Sequence, residues 1–480
     1  MRRKLCLAVF PCLLLFVSVY SASAFEDGSY TTPDNWQQQV TPGQFRQSVT
    51  GVGLTQDTKM YLSLTTRYRL KSNDYADDQD FYQYLRVSTD AAKLGTGTIK
   101  FSAFGRLADD IDGFSDRNWS DNYYYSQKDG LDTELESNDY APRLYHGYVR
   151  LDGVVGNSVV NLGRFYLNHL NTFQLDGADA TYNVTDMVKV YAFGGMPVSY
   201  YYDVDSKDHV YGGGVSLNYK DSTKVGAEYA YLDVQDINDD YSKVSIVQSI
   251  PHGTVVLGYS HLNDAGTFNA NADFEIAKTK TLVSLGYEGM YDNVDSDKTY
   301  VVNPLTYALL PQSKYNKYSF GAYQPFLKYF IAGVNYEGRS VQGEENFDNR
   351  NYNRYGAKFD INGLPTEGTY VSFTVDRWDI DSTSDSNDNS KAEYGVQIGQ
   401  KITDKVDVWC GSSFNRYEYD YSTDKRKDSV RSYYIGGSYQ PTEILSVMAD
   451  LSREDTDFYD DTDSDLSESY RAELWVSLVF

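Results

Sequence analysis

Few of the usual carriers of chemistry are present in this chain. Its five histidines, His146, His169, His209, His252 and His261, include no pair at metal-ligand spacing. Neither an H-E-x-x-H helix nor a G-x-S-x-G elbow occurs. His146 or His261 is conceivable as the base of a surface Ser-His pair, but isolated strand histidines are as a rule structural, so no enzyme is expected. The run Gly212-Gly213-Gly214 sits in an extended segment, where it eases close packing or a bend and does not form a phosphate-cradling loop. A usable pattern does exist among the basic residues. Arg67, Arg69, Arg86, Lys100 and Arg106 recur at every second position of successive segments, and Arg150 joins them. Asp109, Asp110, Asp112, Asp116 and Asp121 follow directly, so a row of cations is succeeded by a row of carboxylates. If the acidic segment folds back across the cations, the two rows create a transverse field that favours small polar solutes. The alternative is that the arginines pair with acids on neighbouring segments while the acidic stretch is solvated.

Elements that hold such a row must alternate. Leu62, Leu64, Thr66, Tyr68 and Leu70 interleave with Ser63, Thr65, Arg67 and Arg69, and Ile99, Phe101, Ala103 and Leu107 interleave with Lys100, Ser102 and Arg106. The chain ends with Tyr470, Ala472, Leu474, Val476, Leu478 and Phe480 on one face. Period two means strands with one apolar and one polar face. No segment after the first 24 residues reads as an amphipathic helix. The connections come in two sets. Short turns are expected at 91–95, 153–157, 183–186, 220–223, 250–253, 277–280, Gln324-Pro325, 362–367, 402–404 and 440–443. Long acidic connections alternate with them; 109–140 carries ten Asp and Glu against Arg117 and Lys128. Short turns on one side and long polar loops on the other indicate an all-β fold, a transmembrane antiparallel β-barrel of the outer-membrane type. The turn count predicts about 22 strands, within a range of roughly 18 to 24, each near the ten residues that span a bilayer. The segment 293–316 is the place where another hairpin is conceivable.

The first 24 residues read as a cleaved signal peptide: basic Arg2, Arg3 and Lys4, an apolar stretch from Leu5 to Tyr20, then Ala22-Ser23-Ala24. Cleavage would take the net charge from −25 to −28 and leave Cys410 as the single cysteine, which excludes an internal disulfide, a cysteine-rich metal site and a C-x-x-C-H haem attachment. No cofactor is expected. The acidic balance excludes nucleic acid as a partner. Residues 25–57 form a periplasmic lead that is too short for a folded plug but long enough to enter the lumen, and 58–480 form the barrel. Asp461-x-Asp463-x-Asp465 is not an EF-hand, because Leu466 replaces the required glycine and Ala472 the final glutamate.

The terminal strand, Tyr470 to Phe480, resembles the last strand of Gram-negative outer-membrane barrels, whose closing aromatic the barrel assembly machinery reads. The hairpin from Gly147 through Gly153 to Asn161-Leu162-Gly163-Arg164 resembles one common in general porins, where a strand ending L-x-G is followed by one ending L-G-R. The resemblance implies that Arg164 lines a pore, which requires a kink at Gly163 because Val160 and Leu162 share its phase. Porins usually have 16 or 18 strands and narrow their passage with the third loop, whereas here the longest loop is the second. The expected function is a passive outer-membrane channel for ions and small polar solutes, in contact with lipid and lipopolysaccharide. The acidic loops lean its selectivity toward cations. Two other readings stay open: a barrel sheath around a multihaem cytochrome, which would supply every haem, and an exporter of anionic polysaccharide.

Tyrosine, 46 of 480 residues, fits this architecture. Its ring and hydroxyl suit the headgroup zone. Tyr68, Tyr259, Tyr287, Tyr439 and Tyr470 are the expected girdle, while Tyr61, Tyr82, Tyr84 and Tyr370 fall on the polar phase.

Overall fold

The computed structural model describes residues 58–73, 77–111, 141–170, 172–198, 207–220, 222–234, 237–262, 265–293, 313–342, 350–381, 389–420, 425–457 and 468–480. Both expected N-terminal segments, 1–24 and 25–57, lie outside them, as do Asp112, Asp116 and Asp121. The strands in chain order are β1 Met60–Asn73, β2 Asp77–Thr89, β3 Ala92–Leu94, β4 Gly97–Asp110, β5 Ala141–Asp152, β6 Ser158–Asn168, β7 Thr172–Asn183 and β8 Val188–Pro197. They continue as β9 His209–Tyr219, β10 Thr223–Val234, β11 Ile237–Ile250, β12 Gly253–Leu262, β13 Ala265–Ile276, β14 Thr281–Met290, β15 Tyr315–Phe326 and β16 Phe330–Val341. The last are β17 Tyr352–Asn362, β18 Thr369–Ile380, β19 Asn389–Thr403, β20 Val406–Asp420, β21 Lys425–Tyr439, β22 Leu445–Asp457 and β23 Glu468–Val479.

Neighbouring strands pair antiparallel in chain order, β2 pairing with β4, and β1 pairs with β23 from Ser63↔Val479 to Asn73↔Ser469. The short β3 only extends the turn between β2 and β4, so 22 strands close the barrel. Closure satisfies the backbone of a spanning sheet without an open edge. β14 pairs directly with β15, so no further hairpin enters the sheet between them. Two boundaries differ from the sequence reading. β4 runs on through Asp109 and Asp110, which are therefore strand residues and not the start of a loop. β15 continues through Pro325, and the turn falls at Leu327, whose φ of 57° makes the tight reversal.

Alternation sorts the side chains. Leu85, Phe101, Leu107, Leu162, Val215, Val244, Leu257, Val334, Phe373 and Ile398 all point outward and are exposed, while their neighbours in sequence point inward. Tyrosine edges this apolar surface. Tyr211, Tyr229, Tyr259, Tyr318, Tyr355, Tyr394 and Tyr470 stand toward one rim, Tyr182, Tyr219 and Tyr439 toward the other. On β9, Tyr211 and Tyr219 are eight residues apart, about 26 Å along the strand and about 20 Å in height at the usual tilt, near the ~25 Å apolar band of such barrels.

Candidate functional site in the barrel lumen

Arg67 and Arg69 on β1 face inward between Glu473 of β23 and Asp80 of β2. Arg67 Nη2 donates to Glu473 Oε1 at 2.7 Å, and Arg69 Nε donates to Asp80 Oδ2 at 2.6 Å, with Asp78 at 3.9 Å and Lys71 Nζ on Asp78 at 3.0 Å. Aromatic rings fill the space between these charges. Arg67 lies 5.2 Å from the Tyr82 ring and 4.6 Å from Trp475, Arg106 lies 5.7 Å from Tyr82, and Arg86 lies 4.8 Å from Phe104. Tyr84 stacks on Tyr82, Phe104 and Trp475 at 6.2–6.3 Å. Cations over ring faces are stabilised by the ring quadrupole. Lys100 and Arg150 are cross-strand partners nearer the short-turn mouth, where Arg150 meets Asp152 at 3.5 Å. The carboxylates that meet Arg67, Arg69 and Lys71 come from adjacent strands, whereas Arg150 meets one of its own strand. Asp110 faces Asp80 in the register, whereas Asp109 is opposite Phe81 on the outward phase.

Arg164 departs from the expectation that it lines the pore. Its register partner Asp176 and its neighbour Leu162 place it on the outward phase, and it forms two bonds to Asp176 at 2.7 and 2.6 Å. Gly163 does adopt a φ of 120°, but the kink moves the whole hairpin rather than the single side chain. β5 and β6 are paired only from Gly147↔Arg164 to Asp152↔Val159. Beyond that point the tip of the β6–β7 hairpin leaves the wall and packs on the inner faces of β8 to β12. There Phe165, Leu167, Phe173 and Leu175 are buried with Phe193, Val210, Ala230, Leu232 and Tyr241. Gly212 and Gly214 accommodate this: a Cβ on either would stand 2.8 Å from Phe193 or 2.4 Å from the Tyr191 hydroxyl. The tip is pinned at both ends. His169 bonds Asp179 at 2.8 Å and stacks 3.8 Å from Tyr191, and Leu170 N donates to Glu228 Oε2, which also accepts from Tyr191 at 2.9 Å. On the side left without a strand neighbour, the carbonyl of Leu144 accepts from Arg164 at 2.9 Å and that of Tyr145 accepts from Gln174. Two side chains thus replace the missing ladder bonds. The third long-side connection enters the lumen, and residues 112–140, the expected constriction, lie outside the described residues.

A second feature was missed in the sequence. The word Tyr-Glu-Gly recurs at Tyr287-Glu288-Gly289 and Tyr336-Glu337-Gly338, each followed on the next strand by Tyr-Asn and a cation, Tyr315-Asn316-Lys317 and Tyr352-Asn353-Arg354. In both copies the outer tyrosine donates to the asparagine, at 2.7 Å for Tyr287 and 2.9 Å for Tyr336. In both, the inner tyrosine donates to the glutamate, Tyr315 to Glu288 at 2.6 Å and Tyr352 to Glu337. The repeated word was the available signal. Among the expected girdle residues, Tyr259, Tyr439 and Tyr470 are exposed outward, Tyr287 belongs to the repeat, and Tyr68 donates to Gln79 at 2.9 Å. Among the described residues no group of His, Cys, Asp and Glu is arranged to hold a metal ion.

No protein-family model and no curated protein matches this chain. Solved structures do. The translocation pore of the P pilus usher PapC shares 9% identity over 87% of this chain and 99% of its own, with a TM-score of 0.50. Pseudomonas aeruginosa OccK3 (OpdO) shares 12% over 89% and 96%, with a TM-score of 0.46, and Acinetobacter baumannii OccAB1 shares 11% over 90% and 98%, with a TM-score of 0.42. The usher pore is similar in fold. A closed antiparallel 22-strand barrel with an apolar tyrosine-edged exterior and a charged interior is an outer-membrane β-barrel, and its place is the outer membrane of a Gram-negative bacterium.

Proposed function

We propose that the chain is a porin-like channel through which ions and small polar solutes diffuse passively. The observation that carries this reading is a polar, charged inner wall partly crossed by a wall-derived hairpin. The hairpin is fixed to Glu228 and Lys243 through Leu170 and so takes up part of the lumen. Such an element suits a diffusion path better than a sheath, whose wall should stay clear for a folded occupant. Several cations of the inner wall are answered on the wall itself, as in Arg67–Glu473 at 2.7 Å and Lys71–Asp78 at 3.0 Å. These pairs support weak ion selectivity along the wall.

Planar-bilayer recording of the purified full chain tests the reading. The expected result is discrete conductance steps and a reversal potential near zero under a salt gradient. A preparation that inserts without conducting and copurifies with haem absorbance would sink it in favour of the sheath.

A further inference from the structure

In a ring of 22 strands, β17 and β18 stand eleven strands from β6 and β7, across the passage from the root of the inward hairpin, whose tip lies on β8 to β12. The inner wall there carries rings and charges in alternation. Arg339 lies 4.2 Å from the Tyr315 ring, Arg354 lies 4.6 Å from Trp378, and Trp378 packs 5.1 Å from Tyr352. One register row runs Glu337↔Arg354↔Trp378↔Lys391, so these groups are cross-strand neighbours on the inner face. The carboxylates interleave with them: Asp376 is 2.9 Å from Arg354, Glu393 is 3.7 Å from Lys391, and Glu288 is 3.6 Å from Lys317.

We propose that this wall is a binding track for neutral saccharides. Lys317, Arg339, Arg354 and Lys391 are matched in number by the carboxylates of Glu288, Glu337, Asp376 and Glu393, and Lys358 by Asp360 at 3.1 Å, so neither sign of solute is favoured. What the wall offers instead is a dense mixture of donors and acceptors beside aromatic faces. A sugar hydroxyl is donor and acceptor at once and suits that mixture. The apolar face of a pyranose suits the rings of Tyr352 and Trp378.

The proposal rests on the channel reading and names a solute class for it. In planar bilayers, maltohexaose added to the long-loop side should interrupt the current reversibly. Trp378→Ala or Tyr352→Ala should weaken the block about tenfold, as loss of one stacked face implies, and Trp378→Phe should restore most of it. Quenching of tryptophan fluorescence by maltohexaose in detergent provides a measure that does not depend on current, and Trp378→Ala should abolish it. A conducting channel that shows neither block nor quenching overturns the track and leaves the channel reading standing. Tighter block by a charged sugar oligomer of equal length, or block that survives both alanine variants, overturns it as well. Quenching without any conductance would strike the channel reading and keep the track.

Discussion

Glu473 receives donors from three side chains, Arg67 at 2.7 Å, Arg471 and the Trp475 indole at 3.0 Å, while its own side chain is 9% exposed. Removing it leaves two guanidiniums facing the lumen without their counter-charge. Glu473→Ala should cost about 3 kcal/mol of barrel stability, read from urea unfolding in detergent, because breaking a largely buried pair strands its partner. Glu473→Gln keeps the shape and should displace the reversal potential toward anion preference; an unmoved potential would show that the ladder does not touch the ion path. The inward phase of Arg67 was legible from Leu64, Thr66 and Tyr68 around it. Its pairing was not, since Glu473 is 406 positions away and only barrel closure brings β23 beside β1. Periodicity gives the face of a strand; register across the closing seam gives the partner.

The β6–β7 hairpin shows the same division one level up. Its alternation reads as two ordinary spanning strands, yet its apolar residues change face along β6: Val160 and Leu162 point outward, Phe165 and Leu167 inward. That change of phase at Gly163 is a sequence mark of a strand leaving the wall, and it explains why Arg164 fails as a pore-lining residue. A Cβ at Gly163 would stand 2.3 Å from the Gly147 carbonyl at a φ of 120°, whereas at Gly95, φ 59°, nothing lies within 4 Å. Gly163→Ala should therefore cost about 2 kcal/mol or more, and Gly95→Ala clearly less, in parallel urea titrations. Equal costs would mean that the pivot can yield. The tip has its own test. Glu228→Ala removes the acceptor shared by Leu170 N and Tyr191, so the tip should detach from the inner wall and give larger, noisier conductance steps. Unaltered steps would place the narrowest section elsewhere in the lumen.

At the scale of the whole barrel, one residue joins the two ends. Phe480 N donates to the Leu62 carbonyl at 2.7 Å and Leu62 N donates to the Phe480 carbonyl at 3.0 Å, so the last residue forms a closing rung between β23 and β1. Its aromatic side chain is exposed on the outside, where closure makes no use of it. Backbone closure and the recognition by assembly machinery that the resemblance implies for Phe480 would therefore separate by chemistry. Phe480→Leu keeps both backbone bonds and an apolar side chain. It should refold in detergent with wild-type yield, judged by the mobility shift of folded barrels on unheated gels, yet accumulate less in outer membranes. Deleting Phe480 removes the rung too and should lower the yield in both settings, since an unpaired end reopens a strand edge that a membrane does not tolerate. Equal accumulation of Phe480→Leu and the parent in cells would leave closure as the sole role of the terminal residue. The aromatic at the end of the sequence would then be one more outward ring at the membrane edge, like Tyr439 on the strand two places away.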